Sequence, residues 1–138
     1  RDRLRSRGLG DVYKRQDKML IVLDLDNFKY INDTYGHQAG DQCLKVIAEC
    51  LKKAYSRYGN CYRIGGDEFC VLFRKPEKEK YCREKFYWII EKRKKSLHML
   101  PGASYGSALI EEQESISDTK ARADANMYAN KKARKQAR

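Results

Sequence analysis

Two pairs of carboxylates carry the chemistry that this 138-residue chain can offer. One is Asp67-Glu68, inside Tyr62-Arg63-Ile64-Gly65-Gly66-Asp67-Glu68-Phe69-Cys70-Val71-Leu72-Phe73. The other is Asp24 and Asp26, inside Met19-Leu20-Ile21-Val22-Leu23-Asp24-Leu25-Asp26-Asn27-Phe28-Lys29. Neighbouring carboxylates repel unless a cation or a shared proton separates them. A carboxylate at the end of a buried strand is costly unless it is paired or ligates a metal. A lone Gly-Gly-Asp-Glu reads as a solvated turn, but a second acidic pair in the same kind of setting favours a cation site. Asp26 has an ordinary use as a turn or helix N-cap before Asn27. Asp24 has none, so the metal role falls to it.

These acids need elements to hold them. The apolar run ending at Leu23 predicts a buried strand, and period-two alternation puts Asp24 and Asp26 on one face if the strand continues. Cys61 to Ile64 and Phe69 to Phe73 predict two strands joined by a tight Gly-Gly-Asp-Glu turn, where glycine reaches positive φ without a Cβ clash. Asn27 to Asp33 predicts a short helix, and Gly40-Asp41 the start of a long one. Leu44, Ile47, Ala48, Leu51 and Ala54 form its apolar stripe. Pro76 suits a helix N1 position, and the helix over 77–97 should bury Tyr81, Phe86, Trp88, Ile89 and Ile90. Ser104 to Ile110 predicts another strand. Ser117-Asp118 is the expected cap of a last helix packing through Ala121, Ala125, Met127 and Tyr128. Strands alternate with helices except for one direct hairpin, which predicts an α+β fold with a mixed or antiparallel sheet.

Composition narrows the class. The length suits one domain with its own core. No apolar run is long enough to span a membrane. Five cysteines without Cys-x-x-Cys spacing read as reduced core thiols of a cytoplasmic protein. The net charge is +11, of which residues 1–16 supply +4. That leader shows no apolar period and resembles translated sequencing-adapter or cloning sequence, so the domain is expected over 17–138. The remaining basic residues at 75–95 are interleaved with acids and read as a solvated helix face, not a nucleic-acid surface.

Three blocks in order, Asp24 through His37, then Gly40-Asp41, then Gly65-Gly66-Asp67-Glu68-Phe69, resemble the GGDEF family of diguanylate cyclases. The resemblance runs from about Met19 to Lys135. It implies a palm-like, ferredoxin-like fold similar to nucleotidyl cyclases. It also implies condensation of two GTP into cyclic di-GMP with release of two pyrophosphates, at a site completed by a homodimer. By motif position, Asp24, Asp67 and the Leu25 carbonyl would hold Mg²⁺ or Mn²⁺, with Glu68 in support. Asp67 is the candidate general base. Asn32 and Asp41 match guanine-binding positions, and His37 a nearby substrate contact. Lys29, assigned a catalytic place, and Lys131 and Lys135 match residues that hold phosphates.

The sequence also departs from the family. The usual opening helix motif is absent, so the true N-terminus and an upstream sensor are expected to be missing. The ending Asn130-Lys131-Lys132-Ala133-Arg134-Lys135 puts Lys where the family has a forked Arg, and Arg134 where it has Gly. The product-binding Arg-x-x-Asp positions hold Ser56 and Gly59. The alternative implied by these departures is a degenerate domain that binds GTP or a protein partner without turnover.

Overall fold

The run Met19–Leu25 forms β1, the strand on which the rest of the sheet is assembled. A computed structural model describes residues 18–136; the leader predicted over 1–16 lies outside them. After β1 come α1 (Phe28–Tyr35), α2 (His37–Tyr55), β2 (Gly59–Gly65) and β3 (Glu68–Phe73). A 3₁₀ turn at Pro76–Lys78 then leads into α3 (Glu79–Lys94), followed by β4 (Ala103–Leu109) and α4 (Ile116–Gln136). The strand order is β2-β3-β1-β4, and every pairing is antiparallel. This is the α+β fold with an antiparallel sheet expected from the alternation of elements, and the palm-like architecture that the resemblance implies.

Strand alternation sends β1 side chains to two different cores. Ile21, Leu23 and Leu25 join Val71, Phe73 and Ala103 under α1, α2 and α3, with Ile47, Leu51, Tyr55, Phe86 and Ile90. Leu20 and Val22 face the other way with Cys70, Leu72 and Ala108, under Ala123 and Met127 of α4. A Cβ on Gly106 would run into the backbone of Ala123 and Met127, so α4 lies directly on β4 at this point. Asp24 continues the Leu20–Val22 phase and therefore ends on the α4 side of the sheet.

Several expected boundaries and faces need correction. The long helix begins at His37, which places Asp41 in its second turn and not at a cap. The 3₁₀ turn delays the third helix to Glu79. That helix buries Cys82, Phe86 and Ile90, an i, i+4, i+8 line, while Tyr81 and Trp88 are 63% and 62% exposed. Those two aromatics lie a half-turn away from the buried line, so their size did not decide their burial. The last helix is capped by Ser115, whose Oγ accepts the Asp118 N–H at 3.1 Å. Its buried line is Thr119, Ala123 and Met127, whereas Ala121, Ala125 and Tyr128 face out. Of the four residues predicted to pack, Met127 does.

The free edge of β4 is closed by side chains. Tyr87 Oη donates to the Ala103 carbonyl (2.6 Å), Asn130 Nδ2 to Tyr105 (2.9 Å), Asn126 Nδ2 to Ser107 (2.7 Å) and Arg122 Nη2 to Leu109 (2.6 Å). Arg122, Asn126 and Asn130 are spaced four apart, so one line of α4 satisfies alternate carbonyls of one strand.

Candidate active site

The β2–β3 hairpin supplies the first acids. Gly65 pairs with Glu68, leaving Gly66 and Asp67 as a two-residue turn with φ of 50° at Gly66. A positive φ at this position suits glycine. Arg63 braces the bend, donating from Nε (3.0 Å) and Nη2 (2.7 Å) to the Gly66 carbonyl. The Leu25 N–H donates to the Asp67 carbonyl at 3.2 Å, which fastens the hairpin tip to the end of β1. Register then sets Asp24 directly opposite Glu68.

Asp24 and Asp26 have different fates. Asp26 Oδ1 accepts from Ser104 Oγ at 2.6 Å, and Arg134 Nη2 reaches Asp26 Oδ2 at 3.3 Å and Ser104 Oγ at 2.6 Å. Asp26 is therefore a structural anchor between β1, β4 and α4. The expected N-cap role is not observed; Asn27 occupies the cap with left-handed φ, ψ of 56°, 36° and no side-chain bond. Asp24 is only partly satisfied. Its Oδ1 is buried with no hydrogen-bond partner, and Lys131 Nζ stands 3.6 Å from its Oδ2. Burial pushes the Asp24 carboxyl up to about 6. The Asp67 charge, and a hydrogen bond shared with that carboxyl, add to the shift; Lys131 opposes it and Glu68 adds a little.

Glu68 faces the same side but is engaged. Lys120 Nζ lies 3.3 Å from Glu68 Oε2 and 2.8 Å from Asp124 Oδ2. Sequence reasoning missed Lys120, Asp124 and Arg63. Only the i, i+4 spacing of Lys120 and Asp124 hinted at the first pair. Among the described residues, no three carboxylate, imidazole or thiol side chains converge on one point as a ready-made metal cage. Mg²⁺ does not need one, since it is commonly held by one or two carboxylates plus water and substrate phosphates. The orphaned Asp24 oxygen, on a carboxyl that lies near Asp67, fits such an ion.

A second group gathers where α1 meets α2. The Asn32 side chain lies over Gly40, filling the space that a Cβ there would take, with Phe28 alongside. Asp41 follows Gly40, so Asn32 and Asp41 share one junction. His37 opens α2. His37 and Asp41 are exposed, and neither side chain has a hydrogen-bond partner among the described residues. Lys29 is not brought to the carboxylates; its ammonium bonds Asp33 at 2.8 Å on the outer surface of α1. Lys131 does reach Asp24. Lys135 falls in the last turn of α4, and its side chain lies outside what the structure describes. At the positions expected to lack a product site, Ser56 is the C-cap of α2 and Gly59 starts β2. A Cβ on Gly59 would meet the Leu72 carbonyl and Val71 Cγ1, so that position also has no room for an aspartate.

The family model "Diguanylate cyclase, GGDEF domain" matches residues 3–137. The chain belongs to the GGDEF family. Similar curated proteins include the probable diguanylate cyclase DgcJ of Escherichia coli, 34% identical over 119 residues. That match covers 82% of this chain and 23% of DgcJ. The diguanylate cyclase DgcS of Shewanella oneidensis is 48% identical over 59 residues, 43% of this chain and 20% of DgcS. The chain thus spans about a quarter or less of the length of these relatives. Among solved structures, the coiled coil and GGDEF domain of DgcB from Caulobacter crescentus in complex with c-di-GMP has a TM-score of 0.81. It is 28% identical and covers 96% of this chain and 73% of that one. The diguanylate cyclase SiaD from Pseudomonas aeruginosa, in complex with its activator SiaC, has a TM-score of 0.76 at 29% identity. It covers 96% of this GGDEF domain and 53% of SiaD.

Within this GGDEF domain all five cysteines are free, and four of them are buried. Burial pushes the Cys70 thiol up to about 12 and Cys61 to about 11, which keeps both protonated and unreactive. No helix among the described residues is long and apolar enough to cross a membrane.

Proposed function

We propose that this GGDEF domain is a diguanylate cyclase catalytic domain. On this reading it acts in the cytoplasm and joins two GTP molecules into cyclic di-GMP across a homodimer. One observation carries the reading: Asp24, whose carboxyl lies near that of Asp67, keeps one buried oxygen without a hydrogen-bond partner at the joint between β1 and the hairpin tip. A fold does not keep such an arrangement cheaply unless it serves a charge that arrives with substrate.

In each half-reaction a ribose 3′-oxygen forms a bond to an α-phosphorus while the bond to pyrophosphate breaks. The hydroxyl proton must leave, and negative charge grows on the transferring phosphoryl oxygens. A bound Mg²⁺ or Mn²⁺, held by Asp24, Asp67 and the Leu25 carbonyl, would lower the hydroxyl pKa and stabilise that charge. Asp67, at the tip of the turn, is the candidate acceptor of that proton. Lys131 lies beside Asp24 and supplies positive charge to the triphosphate. Lys29 and Lys135 are the further phosphate contacts, Lys29 after its exposed ammonium leaves Asp33. Asn32 and Asp41 supply acceptors for the guanine N1–H and N2 amino donors, and His37 lies beside them. Adenine lacks that donor pair and would leave Asp41 unpaired, which disfavours ATP. Each domain holds one GTP, so two protomers must face each other for reaction.

The deciding experiment incubates the purified protein with GTP and Mg²⁺ and separates the products by chromatography. Cyclic di-GMP from the unaltered protein, and none from Asp67→Asn, is the expected result. GTP binding without product in both would instead identify a degenerate, GTP-binding domain.

A further inference from the structure

Two lysines of α4 reach the acids from different positions along the helix, and they do different things. Lys131 is 3.6 Å from Asp24 Oδ2, close enough to be felt as charge but beyond hydrogen-bond range. Lys120 makes direct bonds. Its Nζ bridges Glu68 Oε2 on β3 (3.3 Å) and Asp124 Oδ2 one turn along α4 (2.8 Å), and its side chain is one-third exposed. Asp124 Oδ1 is buried without a partner, so Lys120 is the cation that offsets this carboxylate. Partial burial opposes the Lys120 charge, yet the bond to Asp124 and the proximity of Glu68 hold its pKa above the usual lysine value. The ammonium is therefore a fixed charge over the working pH range.

Glu68 stands directly across the β1–β3 ladder from Asp24. By position it could join Asp24 and Asp67 around an ion, yet the three side chains do not converge. The side-chain contact that Glu68 does make is with Lys120. We propose that Lys120 is a built-in counter-ion of the carboxylate site, holding Glu68 toward α4 so that a divalent cation must displace the ammonium before taking Glu68 as a ligand. This inference rests on the cation reading above and adds a positioning residue to it. The physical basis is competition: one carboxylate cannot give its lone pairs fully to both an ammonium and a metal, and the two positive charges repel. Cation binding should thus be weaker than the acids alone would allow.

The test is calorimetric titration of nucleotide-free protein with Mn²⁺, which reads binding without turnover. Lys120→Met removes the charge and keeps the stem, and should tighten Mn²⁺ binding by about fivefold, the upper range for a partly exposed ion pair. Lys120→Arg keeps the charge and should bind as the parent does. In a Glu68→Gln background, Lys120→Met should change the affinity little, because the competition runs through Glu68. If Lys120→Met does not fold, Lys120→Gln takes its place in the same titration. Equal or weaker Mn²⁺ binding by the neutral variant overturns the counter-ion role and leaves the cation site standing. A parent protein that binds no Mn²⁺, with or without a non-hydrolysable GTP analogue, overturns both.

Discussion

The two halves of the candidate site are built on opposite terms. On the acidic half, at the ends of β1 and β3 under α4, charges are partly buried and mostly committed. Asp26 is held by Ser104 and Arg134, Glu68 by Lys120, and Asp24 lies between Asp67 and Lys131. On the half proposed to recognise the base, where α1 meets α2, His37 and Asp41 stand in solvent without partners among the described residues. The sheet fixes the first half through backbone register, and desolvation makes its charges strong. The second half is a helix junction whose exposed side chains, on the proposed reading, gain a partner when a ligand arrives. Substitutions in the acidic half should therefore change chemistry and stability together, whereas those in the base half should change selectivity alone.

The largest expected effect tests the acidic half directly. Asp67→Asn keeps the shape of the turn and removes a charge from the proposed reaction centre, so turnover should fall by at least ~100-fold. Circular dichroism and melting should remain near parental, since a two-residue hairpin tip buries little. Unfolding, or near-normal turnover, would break the assignment of this half as the catalytic one.

Asp41→Ala probes the other half. Removing a charged acceptor should weaken GTP binding by ~1.5–3 kcal/mol. ATP affinity should stay where it was. The melting temperature should also hold, because Asp41 sits in the second turn of α2 and caps nothing. A loss of stability with unchanged nucleotide preference would erase the contrast between the halves.

A pH titration sharpens the contrast further. The folded protein raises the Asp24 carboxyl from its ordinary value to about 6, so the folded state binds this proton more tightly than the unfolded chain. The resulting stabilisation is full below pH ~4 and is lost as pH rises through about 6. Above that, the ionised carboxylate, only partly offset by Lys131 and crowded by Asp67, works against the metal-free fold. Asp24→Asn should then raise metal-free stability at pH 8 by on the order of 1–2 kcal/mol after allowance for solvent screening. At pH 4 it should change stability little, and it should abolish turnover at any pH. Denaturant melts at the two pH values check the sign; a variant destabilised at pH 8 would show that Asp24 is already satisfied without a cation.

The smallest effect belongs to Lys29, whose pair with Asp33 is fully in water. Lys29→Ala should leave the melting temperature unchanged. If Lys29 exchanges Asp33 for phosphate, KM for GTP should rise while GMP affinity stays constant. An unchanged KM would confine Lys29 to the helix surface.

What the sequence determined by itself was local. The hairpin with its Gly-Gly-Asp-Glu turn, the buried run before Asp24 and the apolar stripe of α2 all follow from patterns within a dozen residues, and each formed. The acids could be named for the same reason: strand ends and tight turns advertise carboxylates that have no local use. The tertiary structure decided which acid would keep an unpartnered oxygen. Asp24 and Asp26 are two residues apart and chemically alike, and only the arrival of Ser104 and Arg134 from distant elements satisfied one of them. Helical phase was the other limit. Tyr81 and Trp88 were expected in the core on size, and Ala121 and Ala125 on apolarity, yet α3 buries Cys82, Phe86 and Ile90 and α4 buries Thr119, Ala123 and Met127. A helix with charges on every side does not reveal which face will meet the sheet; the sheet selects it by close approach, as Gly106 shows against Ala123 and Met127. That choice of face also carried Lys120 to Glu68, lined Arg122, Asn126 and Asn130 along β4, and brought Lys131 to Asp24.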